Sequence, residues 1–412
     1  MREQPLTNHS KASTIILSLI AGALCPAFAA ANETYRPSET PPFDSLEMLD
    51  DDETRADALI ERGYEIDLVP PTLPFDILLT YTALYQSAHQ ALAQNEGFGA
   101  DLDIFASYTF GSSDAGPERK LVLHLEGRHR LGKFAPADLS GSIGNHLSTT
   151  TFYFNEQDFS LVELYYDHEN QSRGYSFRLG KHDPGAVFNT FTWGDPETGF
   201  LGGGVVDAAI AFPDLGWGFH VTIEPSTETY LTLGVFDANA DATKIDFGTL
   251  GKNQYFVGAE AGYTPRSGVF ADAPGKYSVL SWHRDKTAEP GSNSGHGIAF
   301  SGEQALPGNP NIVPFLRYSW ANGAAAAETQ VSVGVVFQNV LGQSDDVIGL
   351  AASRVELADA SLRDESTFEA FYRFHVTPEF SITPDVQLIE KPAKTTSYDR
   401  VTVLSLRARV VF

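Results

Sequence analysis

The sequence ends on the stretch DRVTVLSLRARVVF (residues 399–412), and the order of its side chains decides the fold. Successive side chains of a β-strand point to opposite faces, so every second residue shares a face. Leu404 and Leu406 then lie on an apolar face, whereas Arg407 and Arg409 lie on the opposite, polar face. The stretch therefore predicts a strand with an apolar environment on one side and an enclosed polar space on the other.

The same alternation recurs upstream in segments of roughly ten residues, separated by clusters of Gly, Pro, Asn and Asp. Clear examples are residues 121–128, 175–180, 314–321 and 368–376. A charge on a lipid-facing side chain at mid-bilayer costs about 2–4 kcal/mol, so these charges should point inward. A soluble β-sandwich would show the same alternation with its charges outside, so alternation alone leaves both folds open.

Three further features favour a membrane barrel. The sequence ends on the aromatic Phe412, and its mean hydropathy is only −0.16 over 412 residues. Aromatic residues near the predicted strand ends are typical of interfacial girdles: Tyr81, Tyr85, Tyr153, Tyr165, Tyr166, Trp193, Trp217, Trp282, Trp320 and Tyr372. Residues 64–412 therefore predict an all-β fold, a transmembrane antiparallel β-barrel domain of about 16 strands.

The residues before the barrel predict export. Residues 1–29 combine a polar start, an apolar run and Ala27-Phe28-Ala29, which is typical of a signal peptide. Residues 30–63 are rich in acidic side chains and predict a short, solvated periplasmic segment without chemistry. The expected location is the outer membrane of a Gram-negative cell. The sequence has 53 acidic against 28 basic residues, a net charge of −25, which excludes nucleic acid as the default partner.

Several motifs resemble the carbohydrate-selective porins of the OprB family. They are ELYYD (163–167), YSFRLGKHD (175–183), GFGADLD (97–103), GVFDAN (234–239), DDVIGL (345–350), YRFHVTP (372–378) with ITPDVQ (382–387), and LRARVVF (406–412). They occur in the family's order between residues 60 and 412. The resemblance implies a 16-stranded channel for sugars such as glucose, with short periplasmic turns and longer outer loops.

The polar strand faces supply candidate lumen residues for such a channel. Charged and amide side chains replace the water that a hydroxyl-rich solute loses. The predicted constriction residues are Glu163, Arg178, Arg317, Arg373, Asp385, Gln387, Arg407 and Arg409, and the predicted mouth residues are Lys181, Asp183 and Asp237. The alternative is that these arginines and carboxylates only brace the wall by pairing. The expected partners are small carbohydrates and outer-membrane lipid, with no cofactor or bound metal, in a monomer or homotrimer.

Other motifs leave alternatives open. His146 and Ser148 would share a strand face, as in a phospholipase-type barrel hydrolase. Residues 237–241 resemble the start of a calcium loop but lack its later ligands, which favours a polar turn. Residues 202–204 are three glycines, which would let an inward-folded loop pack closely. A general, mildly cation-selective porin and a secreted lectin also remain as alternatives.

Overall fold

The computed structural model describes residues 75–110, 116–151, 154–289, 292–340 and 345–412. The predicted signal peptide, the acidic segment 30–63, residues 64–74 and Tyr153 lie outside the described residues. The predicted domain boundaries therefore stay predictions. No helix in the described part of the chain is both long and apolar enough to span a membrane.

Sixteen strands make up almost all of the regular structure among these residues. Their bounds are β1 (Phe75–Ala88), β2 (Glu96–Thr109), β3 (Glu118–Arg130), β4 (Gln157–Asn170), β5 (Tyr175–His182), β6 (Gly216–Ser226), β7 (Thr229–Asp237), β8 (Tyr255–Tyr263), β9 (Gly275–Arg284), β10 (Gly295–Gln304), β11 (Ile312–Asn322), β12 (Ala327–Gln338), β13 (Val347–Leu357), β14 (Glu365–Thr377), β15 (Phe380–Glu390) and β16 (Arg400–Val411). Two single-turn helices are α1 (Leu139–Ser142) and α2 (Gly203–Val206), and 3-10 turns cover Pro136–Asp138, Gln171–Arg173, Thr249–Lys252 and Gly268–Phe270.

The strands form one closed antiparallel barrel, as predicted. Each strand pairs with the next in sequence, and β1 closes the ring on β16. In that closing pair Thr82 lies opposite Arg409 and Ala88 lies opposite Val403. Closure leaves no strand edge unpaired, which a membrane-spanning sheet requires because the bilayer core offers no water to its backbone.

The predicted faces of β16 are confirmed. Leu404 and Leu406 are 58% and 50% exposed on the outside, while Ser405 and Arg407 are 6% and 1% exposed on the inside. A soluble sandwich would bury the leucines and expose the arginine, so the sandwich and the lectin that it implied are excluded. The same polarity holds on β11, where Leu316 points outward and Arg317 is buried.

The connections differ in length between the two ends of the barrel. One end carries the long connections 131–156, 183–215 and 238–254, and the other carries short turns such as 171–174 and 227–228. Outer-membrane barrels have short periplasmic turns and longer extracellular loops. The end with long connections is therefore the outer end.

The predicted aromatic girdle is partly wrong. Trp193, Trp282 and Tyr165 are only 8%, 3% and 4% exposed and lie inside the barrel instead of at its membrane interfaces. Trp193 belongs to a connection that packs inside the barrel, and Tyr165 lies under the guanidinium of Arg178, 4.0 Å from its carbon to the ring centroid. A position near a strand end does not determine which face an aromatic side chain takes.

Candidate functional site

The connection between β5 and β6 folds into the barrel. We call residues 183–215 the inward loop. Phe188, Phe200, Leu201 and Val205 of this loop are fully buried, although the loop is the longest of the outer connections. A polar, solvated outer loop would leave such side chains exposed. The inward loop therefore narrows the lumen, and its contacts with the wall define the site.

Apolar packing attaches one side of the inward loop to the wall. The ring of Phe200 lies 4.9 Å from that of Phe371 and 5.7 Å from that of Phe315, and Phe191 lies 4.7 Å from Phe315. Phe315 and Phe371 lie on the same inner face as Arg317 and Arg373. The alternation pattern alone does not explain why two apolar rings occur on this polar face. They are apolar because the inward loop, and not water, covers them.

Two predicted lumen arginines bind the backbone of the inward loop. The Nη1 of Arg407 donates to the carbonyl oxygens of Pro196 at 2.5 Å and Gly199 at 3.0 Å. The Nη1 of Arg373 donates to the carbonyl oxygen of Thr198 at 2.9 Å. Both guanidinium groups therefore hold the loop segment 196–199 in place.

The α2 end of the inward loop is held in a similar way. Arg317 donates to the carbonyl oxygens of Val206 and, from Nη2, of Asn189 at 3.4 Å. The side-chain amide of Gln330 donates to the carbonyl oxygens of residues 203, 204 and 207 at 3.1, 3.0 and 2.7 Å. Carbonyl groups at the end of a single helical turn have few internal partners, so these wall donors satisfy them.

Wall carboxylates accept the loop's free N–H groups. Glu369 accepts from the backbone of Leu201 and Gly202 at 2.5 and 3.0 Å, and Glu260 accepts from Asn189 at 2.6 Å. Glu303 accepts from the hydroxyl of Thr192 at 2.6 Å. All of these wall residues lie on β8 to β16, which follow the inward loop in sequence.

The three consecutive glycines are needed for this close contact, as predicted. A Cβ on Gly202 would lie 2.8 Å from Glu369 Oε2. A Cβ on Gly204 would lie 2.9 Å from the hydroxyl oxygens of Ser353 and Thr367. Contacts this short essentially never occur for real Cβ atoms, so a larger residue at either position would force the loop or these wall side chains to move.

The segment between β3 and β4 also turns inward. The side-chain amides of Gln86 and Gln387 both donate to the carbonyl oxygen of Thr149, at 3.1 and 2.8 Å. His146 and Ser148 lie in this connection, so the prediction that they share a strand face is wrong. The Ser148 hydroxyl donates to the carbonyl oxygen of Thr150 at 2.9 Å, which gives it a role in the turn.

The inner wall opposite these anchors is charged. His124 on β3 bridges two carboxylates, with Nε2 3.0 Å from Asp103 and Nδ1 3.2 Å from Glu163. Next to them, Arg128 pairs with Glu126 and, through Nε at 3.3 Å, with Asp101. These side chains come from neighbouring strands, because the register sets Asp103 opposite Glu126 and Asp101 opposite Arg128.

The inward loop contributes one acid to this charged wall. Glu197 pairs with Arg409 of β16, whose guanidinium also donates to the Thr82 hydroxyl oxygen at 2.9 Å. Burial raises the pKa of the Glu197 carboxyl, and the Arg409 charge partly opposes that rise. Burial likewise raises the pKa of Asp207 to about 6, against the lowering effect of Arg317.

The remaining predicted site residues occupy separate positions. The ammonium of Lys181 is buried and donates to three backbone carbonyls, of Val162, Leu215 and Ala242, at 2.8–2.9 Å. Asp183 follows β5 and accepts from the backbone of Gly185 at 2.7 Å. Lys181 thus ties the end of the inward loop to β4 and to the connection 238–254 instead of facing the mouth.

Asp237 and Asp385 also have defined partners. Asp237, at the end of β7, accepts from the backbone of Asn239 at 2.9 Å, which makes residues 237–241 the expected polar turn. Asp385 accepts from the hydroxyl of Ser405 at 3.2 Å. Arg178 lies 3.4 Å from Asp167 in addition to its contact with Tyr165. Contact of any of these residues with a solute stays a prediction.

The predicted lumen residues did not include Asp101, Asp103, Glu126, Arg128 and Glu197. The alternation in residues 121–128 had already placed Glu126 and Arg128 on the inner face, and a signal was also available for the two aspartates. Asp101 and Asp103 are two residues apart in a predicted strand, so they had to share a face, and their charge required the inner one. Glu197 carried no such signal because it belongs to a loop.

Comparisons with known proteins agree with this architecture. A family model described as "Carbohydrate-selective porin, OprB family" matches residues 88–412. Porin AaxA of Chlamydia pneumoniae is 26% identical over 268 residues, which are 62% of this chain and 60% of that protein. The chain therefore spans about 60% of the length of that relative.

Two solved structures share the fold. The high-pH structure of Pseudomonas putida OprB has a TM-score of 0.67 at 17% identity, covering 82% of this chain and 94% of that one. A mutant of the Rh. blastica porin has a TM-score of 0.53 at 13% identity, covering 82% of this chain and all of that one. The barrel, its inward loop and the family match lead to one conclusion: the chain belongs to the carbohydrate-selective porins of the OprB family, which are channels of the outer membrane and not enzymes.

Proposed function

We propose that this porin conducts small carbohydrates by passive diffusion and selects them beside the inward loop. The observation that carries the proposal is the position of two charged pairs, Arg128 with Glu126 and Arg409 with Glu197, side by side where the loop meets the wall. A sugar hydroxyl both donates and accepts hydrogen bonds. Adjacent guanidinium and carboxylate groups can therefore replace its lost water without holding it tightly.

Aromatic faces on the same inner wall support a sugar as the solute. Phe105 is partly exposed and stacks on His124, with ring centroids 3.9 Å apart. Tyr165 lies under Arg178 on the neighbouring strands. Flat apolar rings beside charged groups match a carbohydrate, which presents C–H surfaces between its hydroxyls. The proposed lumen residues are therefore Glu163, Arg178 and Arg409, joined by Phe105, Arg128 and Glu197.

Swelling of proteoliposomes tests the solute class. We expect monosaccharides to enter faster than neutral amino acids of similar size, because only the sugars use both the charged pairs and the rings. Arg128→Ala should reduce this preference, since it removes the donor of one pair. The matched control is Arg130→Ala on the same strand, whose guanidinium lies 2.8 Å from Glu156 with a side chain 44% exposed. Equal rates for both solute classes in the wild type would refute sugar selection.

A general, mildly cation-selective pore is the second candidate, favoured by the buried carboxylates Asp101, Asp103 and Glu126 on the inner wall. The same swelling assay separates the two, because this pore would admit both solute classes equally. Ion selectivity by itself does not separate them, since an acidic lumen can also belong to a sugar channel.

Acidification is expected to weaken any preference for cations. Because burial raises the pKa of Glu197, its carboxyl gains a proton at a higher pH than an ordinary glutamate as the pH falls. The lumen then loses a negative charge. Reversal potentials measured in a KCl gradient at about pH 8 and about pH 6 should show a smaller cation preference at the lower pH. Glu197→Gln should reduce this pH effect, and an undiminished effect in that variant would contradict the assignment.

We also propose how the chain reaches its membrane. Residues 1–29 act as the signal peptide, residues 30–63 form the acidic periplasmic segment, and the barrel assembles as a monomer or a homotrimer. N-terminal sequencing of the mature protein tests the cleavage site. Light scattering in detergent gives the number of chains.

A further inference from the structure

The inner wall holds one compact group of carboxylates, which includes Glu126 of the proposed sugar path and two aspartates outside it. Asp101 and Asp103 of β2 and Glu126 of β3 each offer an oxygen, and these oxygens lie within 4.8 Å of one another. It is the one such group in the described residues. Ligand oxygens on opposite sides of a Ca²⁺ ion, each at 2.3–2.6 Å from it, have about this separation. The geometry therefore fits a single ion between the three side chains.

The charge of this trio is not balanced by its neighbours. Asp101, Asp103 and Glu126 are at most 4% exposed. Arg128 contacts two of them. His124 lies between Asp103 and Glu163, with ring nitrogens 3.0 and 3.2 Å from their oxygens, so it interacts with a carboxylate outside the trio as well as with one inside it. The trio thus has an excess of negative charge in a buried place, which is costly without a further cation.

One oxygen in the trio has no partner. Asp101 is fully buried, and its Oδ1 receives no hydrogen bond from the described residues. Its Oδ2 lies 3.3 Å from Arg128 Nε, in an ion pair without hydrogen-bond geometry. A buried carboxylate oxygen without any donor is destabilising and is rare in folded proteins. An unfilled acceptor inside an acidic cluster points to a bound cation.

Two neutral neighbours can complete an all-oxygen coordination shell. The Thr80 hydroxyl donates to Asp103 Oδ2 at 3.1 Å, and the Gln157 amide donates to Glu126 Oε2 at 3.0 Å. The Thr80 hydroxyl oxygen thus already lies beside the trio, and a flip of the Gln157 amide would exchange its nitrogen for its oxygen at the same place. Hard divalent cations take such oxygen ligands, and Ca²⁺ accepts irregular geometry where Mg²⁺ requires an octahedron and retains waters.

We propose that Asp101, Asp103 and Glu126 bind a calcium ion on the inner wall of the channel. The ion would join β2 to β3 and neutralise part of the acidic surface next to the pair of Glu197 and Arg409. Calcium would therefore act on the pore in two ways. It would stabilise this side of the barrel, and it would lower the preference of the lumen for cations.

Calorimetric titration of the refolded, detergent-solubilised porin with CaCl₂ tests the site directly. We expect about one ion per chain in the wild type. Asp101→Asn and Glu126→Gln should weaken binding roughly 10–100-fold or more, since each loses a charged ligand. Asp76→Asn is the matched control. Asp76 lies at the start of the neighbouring strand β1, away from the trio, and accepts from the Ser107 hydroxyl. Its calcium binding should equal that of the wild type.

Two results would overturn the proposal: absence of calcium binding in the wild type, or unchanged binding in Asp101→Asn. Circular dichroism and the mobility difference between heated and unheated samples show whether each variant is folded. A second measurement uses the channel itself. Calcium should shift the reversal potential toward lower cation selectivity in the wild type and in Asp76→Asn, but not in Asp101→Asn.

Discussion

Replacing Arg407 by alanine is expected to widen the channel and to destabilise the barrel by about 3–5 kcal/mol. The guanidinium is only 1% exposed and donates to the carbonyl oxygens of Pro196 and Gly199. Its removal leaves both carbonyls without this hydrogen-bond donor and the neighbouring Asp385 without the positive charge beside it. The inward loop should then detach at residues 196–199. Single-channel recording should show higher conductance, and urea titration a lower unfolding midpoint.

The matched control is Arg400→Ala on the same strand. Arg400 pairs with Glu390 at 2.6 Å, but its side chain is 65% exposed at the outer end of β16. Exposed pairs of this kind contribute only about 0–1 kcal/mol. Its conductance and unfolding midpoint should remain close to those of the wild type. If Arg407→Ala behaved like this control, Arg407 would not anchor the loop.

Replacing Leu404 by arginine should also prevent or weaken folding into a membrane. Leu404 is 58% exposed on the outer face of β16. A charge placed there would face hydrocarbon at a cost of about 2–4 kcal/mol near the bilayer midplane. The yield of folded barrel after refolding into lipid vesicles should fall, as measured by heat-modifiable mobility on gels.

Thr402→Arg distinguishes depth from a general effect of the new charge. Thr402 lies on the same face, two residues closer to the outer end of the strand. The cost of a charge falls to about 0–1 kcal/mol near the interfaces, so this variant should fold better than Leu404→Arg. Equal folding of Leu404→Arg and the wild type would mean that this face does not contact lipid.

The barrel could be predicted from sequence because its decisive property is local. On β16 the alternation of Leu404 and Leu406 with Ser405 and Arg407 assigns both faces without knowledge of any other strand. The strand period of two residues is fixed by backbone geometry, so nothing distant can change it. The strand number followed from length in the same way, since each bilayer crossing takes a similar number of residues.

The partners of the inner side chains could not be predicted. Arg407 was expected to face an open lumen or a carboxylate, but it binds carbonyl groups 208 and 211 positions away in sequence. Alternation shows which face a side chain takes and gives no information on what lies opposite. Every residue has a backbone carbonyl, so the sequence does not show which carbonyls an arginine will bind. The glycines at 202–204 and the inward-facing Phe315 and Phe371 were the local signs of a packed loop.

Most of the wall residues that hold the inward loop come later in the chain than the loop itself, although Glu163 and Lys181, which hold its two ends, come before it. Glu260, Arg317, Gln330, Glu369 and Arg407 lie on β8, β11, β12, β14 and β16. Arg407 of the last strand binds the loop at Pro196 and Gly199, and the same strand closes the barrel on β1. The loop is therefore fully held only when β16 is in place. A barrel halted before its last strand would have its loop unsecured and its wall open, so a stalled assembly would leak more than the finished channel.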